Sequence, residues 1–262
     1  METETWIKEI VKQMTLDEKI TMIHGVGLFR TGSVDRLGIP SLVMTDGPIG
    51  VRADFEDKQW IPSGMTSDYT SYFPSGSALA ATFNTELAKR NGQIIGEEAR
   101  GRGKDVLLAP SINIKRTPLC GRNFEYMSED PKLVEEMCVP FIEGVQENDV
   151  AACVKHLAAN SQETDRMAVD TIVDERTLNE LYLKAFALAV HKGNSYCLMG
   201  AYNKLNGEHC CTSKKLLNEI VREQWQYDGT IISDWGGVHD TVEAAESALD
   251  IEMDIHYDFD HH

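Results

Sequence analysis

A carboxylate at the end of a buried strand is placed to act on a ligand. The segment Gly229-Thr-Ile-Ile-Ser-Asp-Trp-Gly-Gly237 has this form, with β-branched Thr230, Ile231 and Ile232 followed by Ser233, Asp234, Trp235 and two glycines. In barrel-type α/β proteins that end of the strands is where active sites are built. Asp234 therefore either works on a ligand or caps a helix starting near residues 237–240.

The ends of other apolar runs carry similar groups. Asp46 stands in Thr45-Asp-Gly-Pro48, Arg122 in Gly121-Arg-Asn-Phe-Glu125, Lys155 and His156 after Val154, and Tyr202 after Gly200-Ala201. Each has a plainer reading. Asp46 before Gly-Pro can start a turn. Arg122 can pair with Glu125 or Glu129 at the surface, Lys155-His156 can be a buried structural pair, and Tyr202 can be core. A lysine closing an apolar strand must nevertheless find a carboxylate or a ligand, because an unpaired buried charge is costly. Charged fork donors, carboxylates and aromatic faces at one mouth suit a sugar, with its hydroxyls and its ring. There is no phosphate-binding glycine loop and no metal triad in the sequence. His209-Cys210-Cys211 is a poor chelator without a second spaced Cys/His pair. No metal and no cofactor are expected.

The elements that would position these residues follow from pattern. Short apolar runs at 41–45, 77–82, 105–109, 150–155, 195–200, 230–233 and 250–253 lack strict alternation, as strands covered on both faces do. Helical stretches lie between them. Thr15-Leu-Asp-Glu18 has capping-box spacing. Asn84 caps 84–100, Asp130-Pro131 opens 132–146, Asp174 opens 175–191, Ser213 starts 214–224, and 238–248 follows the Asp234 strand. Such alternation predicts a parallel sheet with right-handed crossovers. The unit spacing suits a (β/α)8 TIM-type barrel, here with about seven strands visible and an incomplete C-terminal side. Unpaired flanks on its first and last strands are expected as a consequence. The polar and aromatic loop 52–74 has the length of a functional or mobile segment.

Composition narrows the partners. With 262 residues and 42% hydrophobic side chains, the chain has the size of one large domain or two small ones. Its net charge of −17, from 25 basic and 42 acidic residues, argues against nucleic acid and anionic membranes. No apolar run approaches a membrane span and the acidic N-terminus has no apolar signal core, so a cytoplasmic protein with reduced cysteines is the expectation. Cys153 and Cys197, in apolar runs, read as small core residues. Oligomeric state is not legible.

Five ordered motifs carry a resemblance that spans nearly all 262 residues. They are Thr45-Asp-Gly-Pro48, Gly121-Arg-Asn-Phe-Glu125 with Ser128-Glu-Asp-Pro131, Val154-Lys-His156, Met199-Gly-Ala-Tyr-Asn-Lys-Leu-Asn-Gly207 and Ile232-Ser-Asp-Trp-Gly236. In order and spacing they resemble glycoside hydrolase family 3, the β-glucosidase and β-xylosidase group. The resemblance implies that residues 1–262 are the family's N-terminal catalytic barrel. It implies Asp234 as the nucleophile of a retaining glycosidase acting on terminal nonreducing β-D-glucosyl or xylosyl groups. Asp46, Arg122, Lys155, His156, Tyr202 and Trp235 would bind the substrate, an oligosaccharide or an aryl or alkyl β-glycoside, with Glu163 and Arg166 in support. It also implies a second, α/β sandwich domain whose loop supplies the general acid/base glutamate, and that domain is absent from this sequence. Glu125 and Glu163 are possible substitutes that no motif places at the site. Two other readings stay open beside this one: a sugar-binding remnant without catalysis, and a Schiff-base aldolase built on Lys155.

Overall fold

The computed structural model describes residues 2–55, 61, 63 and 69–253. Part of the loop 52–74 and the C-terminal segment from Asp254 therefore lie outside the described residues. The elements, in order, are α1 (Glu2–Gln13), α2 (Leu16–Met22), β1 (Gly25–Gly27), β2 (Arg30–Thr31), β3 (Met44–Asp46), α3 (Gly76–Ala80), α4 (Thr85–Gly101), β4 (Val106–Leu108), α5 (Pro131–Gln146) and β5 (Ala151–Leu157). There follow β6 (Asp170–Thr171), α6 (Glu175–Thr177), α7 (Lys184–His191), β7 (Cys197–Gly200), β8 (Lys204–Leu205), β9 (Glu208–His209), β10 (Thr230–Ile232) and α8 (Thr241–Glu246). Leu178–Tyr182 and Lys215–Gln224 wind more loosely, with π-type bonding.

The expected helix starts are realised. Thr15 and Glu18 form the reciprocal capping box of α2. Asn84, Asp130 and Asp174 each accept backbone N–H groups at the heads of α4, α5 and α6. The head of α8 is capped by Asp240, which accepts from Val242 and Glu243, so Asp234 is not spent as a cap.

Strands β10, β7, β5, β4 and β3 form one parallel sheet in that order. α4 to α8 and the π-type segments lie in the connections, giving the β/α alternation expected. One strand expectation is corrected. The run 77–82 lies mostly in the helix α3, because Ser75 accepts from Ala78 N at 3.2 Å and caps an alanine-rich turn. A short apolar run does not distinguish a buried strand from a buried helix.

The sheet edges are not bare. Ile251 bridges Ile232 in parallel, and Glu252 bridges His24 in parallel. β1 pairs antiparallel with β2, and Arg30 bridges Val43 antiparallel. Met44 N donates to Phe29 O at 2.7 Å. Backbone hydrogen bonds thus run from one edge of the five-stranded sheet to the other, through one antiparallel segment that the sequence reading did not anticipate. The stretch 250–253 contributes single bridges rather than a full strand, at Ile251 and Glu252.

Two core clusters show why this arrangement builds a site. Leu107, Ala152, Val154, Leu198 and Ile231 face the helices. Met44, Val106, Leu108, Cys153, Cys197, Met199, Ile232 and Ile251 face the interior of the ring. Strand side chains alternate faces. Asp46, Lys155 and Asp234 each stand two residues beyond an inward core residue, Met44, Cys153 and Ile232. Period two carries all three to the rim of the interior.

Candidate active site

Around that rim lies a cavity of about 620 Å³ lined by Asp46, Arg122, Lys155, His156, Arg166, Tyr202, Asp234 and Trp235, with Leu108 and Met199 also in its wall. Eight of the nine candidate residues thus meet at one place. The ninth, Glu163, holds the wall from behind: its Oε2 accepts from Arg166 Nη1 at 3.0 Å, and the Arg166 guanidinium lies 4.3 Å from the Tyr202 ring centre.

Lys155 is 3% exposed and donates to Asp46 Oδ1 at 2.6 Å. Asp46 Oδ2 has Arg52 Nη1 at 3.4 Å, and Gly47 N donates to Oδ1 at 3.0 Å. Gly47 has φ +141°, and a Cβ there would meet Gly50 O at 1.8 Å, so the turn that aims Asp46 requires glycine. Burial alone would raise the Asp46 carboxyl. Lys155, then Arg52 and Arg122, outweigh it and hold the group below the usual carboxylate range.

Arg122 reaches the cavity from the connection between β4 and α5. Its Nε donates to Glu125 Oε1, and Glu125 Oε2 accepts from Ser111 Oγ at 2.6 Å. Arg122 Nη2 meets His156 Nε2 at 2.8 Å. Burial would lower the guanidinium, but Glu125 outweighs it and keeps Arg122 firmly charged. His156 is only 1% exposed, and burial, then Arg122, Lys155 and Arg166, keep it neutral well below its ordinary pKa. Arg122 is therefore a half-buried group held by Glu125 and His156 rather than a surface ion pair.

Asp234 is 5% exposed. Oδ1 accepts from Trp235 N at 2.9 Å, and Oδ2 is buried with no hydrogen-bond partner. His156 Nε2 is 3.7 Å from Oδ2, beyond hydrogen-bond length. The Tyr202 hydroxyl lies against the same carboxylate and favours its charged form, short of regular hydrogen-bond geometry to Oδ2. Burial pushes the Asp234 carboxyl up, and Arg122, Lys155, Tyr202 and the Trp235 N–H offset this without cancelling it. Burial, then Asp234 itself, pushes the Tyr202 phenol up, so that phenol stays neutral. An unpartnered carboxylate oxygen facing a polar cavity is unusual, since buried polar atoms are normally bonded. It is free to meet a reacting atom.

Trp235 packs tilted against Phe29, with ring centres 5.1 Å apart, and donates Nε1 to Leu28 O at 2.7 Å, so the β1–β2 hairpin fixes this aromatic wall. Phe29, Arg52, Met167, Leu108 and Met199 line the cavity without having been singled out in the sequence. Met199 was findable, two residues after Cys197 on the same face. Phe29 and Arg52 come from segments with no strand periodicity. Ser111, Asn113 and Glu125 act from behind, and Glu125 is consumed by Arg122 and Ser111 rather than presented to the cavity.

A family model described as glycosyl hydrolase family 3 N terminal domain matches residues 22–256. The chain belongs to glycosyl hydrolase family 3. It is 50% identical over 250 residues to "Beta-glucosidase BoGH3A" of Bacteroides ovatus, covering 95% of this chain and 34% of that protein. It is also 50% identical over 247 residues to "Thermostable beta-glucosidase B" of Acetivibrio thermocellus, covering 94% and 33%. The solved β-glucosidase 3B from Thermotoga neapolitana in complex with glucose superposes with a TM-score of 0.89 at 44% identity, over 94% of this chain and 36% of that one. The chain thus spans about a third of the length of the relatives it matches. Within family 3, the aldolase reading is not favoured, and Lys155 is bonded to Asp46 rather than presented as a free amine. No helix among the described residues is long and apolar enough to cross a membrane.

Proposed function

We propose that this chain carries the glycosyl-binding half of a retaining β-glycosidase acting on terminal β-D-glucosyl groups, with Asp234 as nucleophile. The observation that carries the reading is the orphaned Asp234 Oδ2, buried and partnerless at the wall of a polar cavity. In the first step Oδ2 attacks the anomeric carbon, the bond to the leaving-group oxygen breaks, and a glycosyl ester forms on Asp234. In the second, water displaces the sugar and regenerates the carboxylate. The Asp46 carboxylate offers acceptors and Lys155, Arg122 and Arg166 offer donors for the sugar hydroxyls, and Trp235 offers an apolar face. A β-xylosyl group has the same ring hydroxyls and is the second substrate to test.

Retaining hydrolysis also needs a proton donor about 5–5.5 Å from the nucleophile. Among the described residues, the other carboxylate lining the cavity is Asp46, which is ion-paired and held ionised, a poor acid. In this reading the general acid comes from outside the described residues, and a longer protein containing this chain supplies it. The experiment is mass spectrometry after incubation with 2,4-dinitrophenyl 2-deoxy-2-fluoro-β-D-glucoside, whose leaving group needs no acid. A fluoroglucosyl adduct on Asp234 is the expected result. An adduct on a different carboxylate refutes the assignment. Glucose binding without any adduct favours a binding-only role.

A further inference from the structure

His156 is gripped on both sides by groups whose hydrogen-bonding roles are not negotiable. On one side stands Asn113, 2% exposed. Its Nδ2 donates to His156 O at 2.8 Å, and its Oδ1 accepts from His156 N at 2.7 Å. A backbone N–H only donates and a carbonyl only accepts, so these two bonds fix which end of the amide is oxygen. The same Oδ1 faces His156 Nδ1 at 3.3 Å. On the other side Arg122 Nη2 stands 2.8 Å from His156 Nε2. Arginine has no acceptor, so Nε2 must offer its lone pair. Only one ring state satisfies both contacts: a neutral imidazole with its proton on Nδ1.

We propose that Asn113 is a positioning residue that locks His156 in the Nδ1–H tautomer and thereby keeps Asp234 Oδ2 free for attack. The opposite tautomer would set an Nε2–H against the Arg122 N–H and turn a donor toward Asp234 Oδ2, now 3.7 Å away. A small ring movement would then occupy the one oxygen of that carboxylate that has no partner. The lock also braces Arg122, whose Nε is already taken by Glu125, so its remaining N–H groups have a fixed direction. The tautomer is argued from hydrogen bonds alone, whereas its consequence for attack rests on the sugar-cleaving reading above.

The test has a spectroscopic arm that does not depend on sugar. In the 262-residue chain labelled with ¹⁵N-histidine, long-range ¹H–¹⁵N correlations report which ring nitrogen carries the proton, and His156→Gln identifies the signal. Wild type should show His156 as Nδ1–H from about pH 6 to 8, a range in which free histidine titrates. Asn113→Ala removes one of the two contacts that demand Nδ1–H and should give a measurable Nε2–H population beside the Nδ1–H form that Arg122 still favours, and Asn113→Leu replaces it if the alanine variant does not fold. Asn113→Asp keeps the acceptor and should retain Nδ1–H. An Nε2–H or imidazolium His156 in wild type overturns the proposal, as does an unchanged Nδ1–H signal in Asn113→Ala or Asn113→Leu. In the second arm Asn113→Ala should weaken 1-deoxynojirimycin binding by about tenfold, the worth of one hydrogen bond. It should slow fluoroglucosyl labelling of Asp234 by more than that, because the attacking oxygen is engaged. Labelling and binding reduced equally count against the link to attack. A wild-type chain that takes no label speaks against the sugar reading, while the tautomer is still decided by the correlations.

Discussion

Replacing Lys155 by methionine removes the charge that keeps Asp46 ionised while nearly preserving side-chain volume. The lysine is 3% exposed and its bond to Asp46 is 2.6 Å long. Removing one partner of a buried pair costs about 3–5 kcal/mol, because the other charge is left in poor solvation. Two features place this pair at the lower end. The Asp46 side chain retains 31% of its exposure, and Arg52 remains 3.4 Å from its second oxygen. The expected loss of unfolding free energy is therefore about 3 kcal/mol at pH 7, or a fall of about 6–12 °C in Tm for a domain of this size. Asp46→Asn in the same background should recover most of it, since a neutral amide needs no counter-charge. The sign with pH is fixed by the depressed Asp46 carboxyl. Its stabilising contribution is present above the unfolded-state pKa and is lost as pH falls through the lower folded value. The gap between wild type and Lys155→Met should accordingly narrow on acidification. Urea titrations at pH 7 and at about pH 3, on all four members of the double-mutant cycle, measure this directly. Strict additivity of the two substitutions would show that the pair carries no coupling energy and refute the reasoning.

Three further outcomes follow from the same geometry. Lys155→Ala and Asp46→Ala should each cost about 2–4 kcal/mol of transition-state binding, read as the second-order rate of fluoroglucosyl labelling; rates within threefold of wild type would mean these residues do not grip the sugar. Asp234→Asn should abolish labelling yet raise Tm at pH 7, because a carboxyl whose folded pKa is raised loses its favourable contribution as pH rises through that value, leaving a net penalty at neutral pH; an unchanged or lowered Tm at pH 7 contradicts the orphaned oxygen. The chain alone should form the covalent adduct with dinitrophenyl glycosides but fail on cellobiose, because general-acid help is worth roughly 10²–10⁴-fold; normal turnover of cellobiose, measured as glucose released, would reveal a proton donor within this chain.

The parts of the site that the sequence disclosed are those governed by period two. Asp46, Lys155 and Asp234 each follow an inward core residue by two positions, so the apolar run and the charge after it suffice to place them on one rim. Elsewhere that rule has no purchase. β1 and β2 are three and two residues long, below the length at which periodicity is visible, yet they bring Phe29 to Trp235 and cover the edge of β3. The alanine run after Ser77 carries no helix period in so few residues, and its helix is decided by a cap from Ser75 and by Ser77 Oγ donating to Asn123 O at 3.0 Å. Arg122 could be suspected from its neighbours but not aimed. Its direction is set by Glu125 three residues on and by His156 thirty-four residues away, and His156 in turn by Asn113, nine residues before Arg122 in the same connection. Such a chain of dependencies exists only once β4 and β5 lie side by side. The strand-end charges that line the cavity were legible because strands place them one at a time. The groups that orient those charges were not, because each acts across a contact that the tertiary fold creates.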